Sequence, residues 1–344
     1  MTETVLLEQI CVPVTEASQP AAARRAAVAL AQETGMNEQA LGSFALIVTE
    51  LATNLVKHAK SGELLIRRLA AEGIDGVEVL SLDKGPGIAD VSMSMGDGYS
   101  TAGSPGTGLG AVRRTADAFD VYSQPGKGTA IVARLFANRR DGFGYAQCVG
   151  IVRQAKSGEP VCGDNWIARW FADGWVCAVV DGLGHGVIAN DAASAIIEAM
   201  RRAPLHLSPT QIVEVAHQAA RATRGAALGV AVFDGAARLV RFAGIGNIAA
   251  VVLSGDMRRH LVSHNGIVGH DYRKLSEFAQ PWQPHSILVL HSDGIGTHWD
   301  LTQYPGLLAR DPSLIAGILY RDFARGRDDA TVVVLKEHVR ERPS

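Results

Sequence analysis

The apolar stretch Trp175 to Val180 runs straight into Asp181-Gly182-Leu183-Gly184-His185-Gly186, and a helical pattern follows from about Val187 to Arg201. An isolated Asp-Gly pair is most often a turn that closes a strand. Three glycines and a histidine set between a buried strand and a helix are hard to explain as turns alone. Three further acidic signals fall at what read as strand ends: Gly163-Asp164-Asn165, His291-Ser292-Asp293-Gly294 and Asp328-Asp329-Ala330. Their separations are too long for a local ion-binding loop, so any shared site must be assembled by the fold. Carboxylates without paired Cys or His ligands favour a hard ion, Mg²⁺ or Mn²⁺, over zinc. Two such ions can hold a bridging water, which suits phosphate-monoester hydrolysis, where the nucleophile must be ionised near neutral pH while charge builds on phosphoryl oxygens. The glycines after Asp181 and Asp293 let the backbone approach an ion closely, and the Gly182 carbonyl is a candidate ligand.

A chain of 344 residues exceeds what one hydrophobic core usually serves, which predicts two domains. Lys+Arg 33 against Asp+Glu 35, with no basic run, removes the electrostatic footprint of a nucleic-acid binder. Glu3 and Glu8 stand where a signal peptide would carry basic residues. No apolar run reads as approaching the roughly 20 residues of a membrane helix, so no membrane partner is expected. Cys11, Cys148, Cys162 and Cys177 share no C-x-x-C spacing, and a reducing cytoplasm is the expected compartment.

The first half predicts a helix from Pro20 to about Glu33, stopped by Gly35, then one from Asn37 as N-cap to about Lys60, closed by Gly62. In the second helix Leu41, Phe44, Ala45, Val48, Leu51, Ala52 and Leu55 recur at helical spacing. Strands are expected over Glu63 to Leu69, Gly76 to Leu82, Asp120 to Ser123 and Gly128 to Phe136, with a short helix near Ala111 to Ala118. This order indicates an α+β sandwich. The polar interruption Asn138-Arg139-Arg140-Asp141-Gly142 suggests a boundary, giving domains 1–138 and 144–338. Beyond it many strand candidates and two consecutive helices suggest a β-sandwich with helices outside. Glu50 and Asn54 lie four apart, with His58 one turn on, so the three share a helix face. Such a pair is usually a solvated face, yet it can also handle a proton and a Mg²⁺ ion beside a nucleotide. Asp83-Lys84-Gly85-Pro86-Gly87 follows a strand, and Gly106-Thr107-Gly108-Leu109-Gly110 leads into a helix, where backbone N–H groups can wrap phosphates. Neither is a Walker or Rossmann motif.

With these motifs in this order, about Tyr145 to Leu335 resembles the metal-dependent type 2C protein phosphatases, in their SpoIIE-like (RsbX/RsbU-like) branch. The resemblance implies an α-β-β-α sandwich in which Asp164, Asp181, Asp293 and Asp328 ligate two Mn²⁺ or Mg²⁺ ions, with the Gly182 carbonyl, and so form the catalytic set. Eukaryotic members carry histidine where Leu183 stands; His185 is either a proton donor or a loop-packing residue, and Asp329 is a neighbour without an assigned role. The compact domain implies that substrate selection relies on docking. About Val12 to Phe136 resembles the GHKL ATPases, with Glu50-Leu-Ala-Thr-Asn54 as N-box and two glycine boxes at Asp83 to Gly87 and Gly106 to Gly110. This implies a Bergerat α/β sandwich binding ATP with Mg²⁺: Asn54 on the ion, Glu50 as general base and catalytic residue, and Asp83 on the adenine amino group. The remaining ATP-binding positions are Gly85, Gly87, Gly106, Gly108, Gly110 and Thr129, the last near the adenine with Gly128.

A histidine kinase needs a phospho-acceptor hairpin upstream, and only a few tens of residues precede the N-box. With Asp97-Gly98-Tyr99-Ser100-Thr101 on a short lid, the half is most similar to RsbT and RsbW serine kinases, RsbT above all. The fusion implies a bifunctional regulator of partner switching, acting as phosphatase and kinase on a STAS-domain anti-sigma-antagonist or stressosome-type protein, with a second regulator bound by the N-terminal half. The alternative is an anti-sigma-type module that sequesters a partner in a nucleotide-dependent way and brings phosphatase to it without kinase activity. A dead phosphatase scaffold is disfavoured because all four carboxylates are present.

Overall fold

The computed structural model describes residues 2–4, 9–71, 74–94, 108–137 and 148–337. Two strands open the chain, β1 (Thr2–Thr4) and β2 (Gln9–Val14), followed by helices α1 (Gln19–Gln32) and α2 (Glu38–Asn54). Next come β3 (Gly62–Ala71), β4 (Ile74–Asp83), α3 (Val91–Ser94), α4 (Gly108–Thr115), β5 (Ala118–Gln124) and β6 (Gly128–Phe136). The second half holds β7 (Val149–Gln154), β8 (Asp164–Phe171), β9 (Gly174–Gly182), α5 (Gly186–Arg202), α6 (Pro209–Ala220), β10 (Ala226–Asp234), β11 (Leu239–Ile245) and β12 (Ala249–Ser254). It ends with β13 (Met257–Leu261), β14 (Phe278–Pro281), β15 (Ile287–His291), α7 (Pro312–Phe323) and β16 (Ala330–Lys336).

These elements form two compact units that do not follow the chain in simple succession: one is Leu7–Phe143 with Asp300–Arg321, the other Met1–Leu6 with Gly144–Trp299 and Asp322–Ser344. A single linear boundary near residues 138–144 therefore describes one crossing between units but leaves out the opening strand and the segment 300–321.

In the first unit, β2-β3-β4-β6-β5 form an antiparallel sheet. Strand alternation sends Leu64, Ile66, Val77, Val79, Ile131 and Ala133 to one face, where they pack with Phe44, Ile47, Val48 and Leu51 of α2 and Ala23, Ala27 and Leu30 of α1. Asn37 caps α2, its Oδ1 accepting from the Ala40 N–H at 2.8 Å. The helix continues as a π-turn, Leu55–Ala59, and ends at Lys60 with φ +67°; Gly62, expected to close it, is the first residue of β3. Glu38–Ala59 is 22 residues long and apolar enough to cross a membrane by length and composition, which corrects the reading that no stretch approaches that length. Here its apolar residues are core of the α/β layer.

The other face of this sheet receives α7, which the sequence reading did not anticipate. A Cβ on Gly317 would come within 2.9 Å of the Leu80 and Leu82 side chains, so the helix backbone lies directly on β4. Arg134 donates to both Asp311 oxygens at 2.6 and 2.8 Å and through Nε to Glu78 at 2.7 Å; Arg67 holds the other Glu78 oxygen at 2.7 Å, and Ser313 Oγ donates to Glu78 at 2.9 Å. Burial alone would raise the Glu78 carboxyl, but Arg67 and Arg134 bring it down to about 2.

In the second unit, a six-stranded sheet β1-β8-β9-β10-β11-β14 faces a five-stranded sheet β13-β12-β15-β16-β7. Trp166, Trp170, Trp175, Val179 and Phe242 from one sheet share a core with Ile151, Val252, Leu288 and Val333 of the other. The alternate residues Ile167, Val176, Ala178, Val180 and Val230 pack outward against Ile196 and Met200 of α5 and Ile212 and Val213 of α6. The fold is thus α+β: an α/β sandwich and a β-sandwich with helices outside.

Candidate functional site

In the second unit two carboxylates on strands and two on loops gather at the ends of β8, β9, β15 and β16. Asp164 opens β8 and pairs in register with Asp181 near the end of β9. Asp293 follows β15, and Asp328 stands two residues before β16. Asp181, Asp293 and Asp328 line one cavity of about 200 Å³ with Lys156, Leu183, Gly184, His185, Ala227 and Asn247. Asp164 is buried behind it, its Oδ2 accepting from Ser292 Oγ at 2.7 Å, while Ser292 Oγ accepts from the Thr331 N–H at 2.9 Å. Asn247 Nδ2 donates to Asp293 Oδ2 at 2.7 Å. The neighbouring His291 is buried, its Nε2 accepting from Trp299 Nε1 at 3.0 Å, which steadies the start of the Asp293 loop.

Glycines allow these loops to close. A Cβ on Gly182 would lie 2.1 Å from the Ala189 carbonyl oxygen, and one on Gly294 would lie 1.9 Å from that of Asp329. Asp329 ties the loops together: Oδ1 accepts from the Lys156 N–H at 2.8 Å and Oδ2 from the Gly163 N–H at 2.9 Å. His185 precedes α5 and its Nδ1 lies 2.6 Å from Glu159 Oε1.

Electrostatically the cluster is overloaded with negative charge. Burial and then the charges of Asp164, Asp293, Asp328 and Asp329 push the Asp181 carboxyl well above the usual carboxylate range. Burial raises Asp164 too, and Asp293 rises through burial and Asp328 against the pull of Arg325 and Arg327. Among the described residues no three His, Cys, Asp or Glu side chains are close enough, as they stand, to enclose one ion. The chemistry of the donors nonetheless fits a hard divalent cation: oxygen ligands alone, and buried negative charge that side-chain cations do not neutralise.

The first unit brings the expected nucleotide residues together differently. Asp83, at the end of β4, accepts on Oδ1 from the Gly85 N–H at 2.7 Å and from the Thr129 N–H at 3.2 Å. Both bonds fall on the same oxygen, Oδ1. Gly128, at φ +83°, passes so close that a Cβ would lie 2.1 Å from the Asp83 carbonyl oxygen; Gly87, at φ +74°, packs on the Gln124 carbonyl, 2.4 Å from such a Cβ. Glu50 and Asn54 are half-buried near the end of α2, His58 is exposed in the π-turn, and a Cβ on Gly108, the first residue of α4, would sit 4.0 Å from Asn54 Oδ1. Gly110 is buried in α4. Gly106 and the segment Asp97 to Thr101 lie outside the described residues. Four residues that support these sites were missed at the sequence level: Ser292, Asn247, Glu159, and Arg321 of α7, whose Nη1 donates to the Asp83 carbonyl at 2.8 Å. Ser292 lay inside a quoted motif; Arg321 carries no local signal.

Residues 12–135 match the histidine kinase-like ATPase domain family, and residues 172–338 match the stage II sporulation protein E (SpoIIE) family. The serine/threonine-protein kinase RsbT of Bacillus subtilis is 35% identical over 126 residues, 37% of this chain and 95% of that protein. The phosphoserine phosphatase RsbX of the same organism is 24% identical over 141 residues, 41% of this chain and 70% of that protein. Among solved structures, one described as "The bacterial stressosome: a modular system that has been adapted to control secondary messenger signaling" is similar with a TM-score of 0.51 and 29% identity, over 54% of this chain and 97% of that one.

Proposed function

Because the chain belongs to the RsbT family through its N-terminal part and carries a SpoIIE-type phosphatase domain behind it, we propose that it is a bifunctional partner-switching regulator. In this reading residues 144–338 remove phosphate from phosphoserine or phosphothreonine on a STAS-domain protein in the cytoplasm, and residues 1–138 bind ATP with Mg²⁺ and phosphorylate the same class of partner. The observation that carries the phosphatase half is the pairing of Asp164 with Asp181 across β8 and β9, next to a cavity shared by Asp181, Asp293 and Asp328.

Asp164, Asp181, Asp293 and Asp328, with the Gly182 carbonyl, are the residues that would hold two Mn²⁺ or Mg²⁺ ions. When bound, the ions supply an ionised water and offset charge on the phosphoryl oxygens. Ser292 orients Asp164, Asn247 orients Asp293, and Asp329 fixes the two loops on which Lys156 and Gly163 sit. In the other half Asn54 would hold Mg²⁺, Asp83 would accept from the adenine amino group, and Glu50 would take the proton of the acceptor hydroxyl.

Purified protein with Mn²⁺ is expected to release phosphate from phosphoserine on a cognate STAS-domain protein; no release from any such candidate would refute the phosphatase half. With ATP and Mg²⁺, wild type should label the dephosphorylated partner, and Glu50→Ala should abolish labelling while leaving nucleotide binding intact. Absence of labelling by wild type would replace the kinase by the sequestering module.

A further inference from the structure

The cavity below Asp181 has an apolar lip that hydrolysis itself does not require. Leu183, one of its lining residues, is 39% exposed, and on the first turn of α5 Val187 and Ile188 are 56% and 52% exposed. Among the described residues the other exposed large apolar side chains, Leu46, Met93, Met257 and Val262, form no such triplet. Three within six residues, beside a reaction cavity, form a patch of the kind that contacts a partner.

Size and charge identify the occupant. The cavity measures about 200 Å³, and a water takes about 30 Å³ of liquid, so a phosphoryl group and a few waters fill it. Residues on either side of a phosphorylated side chain must therefore lie over the rim. That rim is cationic: Arg224 Nη1 would lie 3.2 Å from a Cβ on Gly184, and Arg325 and Arg327 act on the Asp293 carboxyl from exposed positions. Outside the cavity's own Asp181, Asp293 and Asp328, its anions are Glu159, engaged with His185, and exposed Asp191 one turn along α5.

We propose that Leu183, Val187 and Ile188 dock the phosphorylated protein substrate by receiving an apolar side chain next to its phosphoserine or phosphothreonine, on an otherwise acidic segment. The inference rests on the phosphatase reading and defines the substrate of that site. The full chain with Mn²⁺ is assayed on p-nitrophenyl phosphate and on two glutamate-containing phosphoserine decapeptides, one with leucine and one with serine on each side of the phosphoserine. Wild type prefers the leucine peptide about tenfold in kcat/KM, equivalent to about 1.4 kcal/mol. The double variant Val187→Ser/Ile188→Ser, and the single variant Ile188→Ala to a smaller degree, narrow that preference towards twofold with p-nitrophenyl phosphate hydrolysis unchanged. Equal use of the peptides by wild type, a preference that survives in the double variant, or parallel loss on all three probes overturns the docking lip. If wild type hydrolyses none of the probes, the phosphatase reading itself fails and the lip falls with it.

Discussion

Two buried carboxylate groups in this molecule have opposite surroundings. Glu78 lies between Arg67 and Arg134 with every oxygen hydrogen-bonded, and its carboxyl is held far below the ordinary range. Asp164 and Asp181 share their surroundings with further aspartates, and theirs are pushed up. A buried acid that is matched by cations holds structure together; a cluster left unmatched is costly by itself and suited to a cation from solution. The contrast also separates the roles of the two units' polar interiors: one fastens α7 to a sheet, the other stores negative charge beside a cavity.

The sharpest way to break this contrast is to neutralise one member of each set. Asp181→Asn is expected to lower Mn²⁺-dependent hydrolysis of p-nitrophenyl phosphate by about 10²- to 10³-fold, in the range seen when a principal electrostatic element is removed. The same change relieves repulsion, so the metal-free variant should melt a few degrees higher than metal-free wild type, by about the shift expected for 1 kcal/mol. A lower melting temperature would show that Asp181 is a structural residue after all.

Glu78→Ala should act in the opposite sense. Removing one partner of a buried ion network costs roughly 3–5 kcal/mol, because Arg67 and Arg134 are left without it; urea denaturation followed by fluorescence would read the loss. The pH dependence follows from the sign of the shift. A carboxyl depressed in the folded state stabilises fully above its unfolded value, near 4.5, and that contribution is lost as pH falls towards about 2. The stability difference between wild type and Glu78→Gln should therefore shrink between about pH 5 and pH 2. A difference independent of pH would place the stabilisation in packing and not in charge.

A smaller effect is expected from Ser292→Ala. Residues that orient a metal ligand typically contribute about 10- to 100-fold in affinity, so Mn²⁺ binding by calorimetry should weaken by that factor with the fold intact. Unchanged affinity would mean that the Ser292 bond to Asp164 serves only the loop.

Much of this arrangement is legible in the chain because its signals are local. Phe44, Val48, Leu51 and Leu55 repeat at helical spacing and lie on the buried side of α2 or in the π-turn that extends it, and Asn37 caps that helix. The acidic residues at 164, 181, 293 and 328 sit beside strands whose apolar alternation is visible beforehand. What escapes is fixed by partners distant in sequence. Nothing near Pro312 announces that Asp311 will meet Arg134, or that Arg321 will reach the Asp83 carbonyl. Met257–Leu261 and Phe278–Pro281 are edge strands with mixed, partly exposed residues, so their pattern carries little hydrophobic signal. The ends of elements differ for similar reasons: Lys60, at φ +67°, ends the helix that Gly62 was expected to close, and Gly62 itself is hemmed in by Leu55 and the Leu82 carbonyl.

The central claim is that aspartates far apart in the chain form one cation site. The most direct test is an anomalous difference map from crystals of the full chain grown with Mn²⁺. The account predicts peaks in the cavity between Asp181, Asp293 and Asp328, with carboxylate oxygens at coordinating distance. A map without peaks there, at Mn²⁺ concentrations that support hydrolysis, would contradict it.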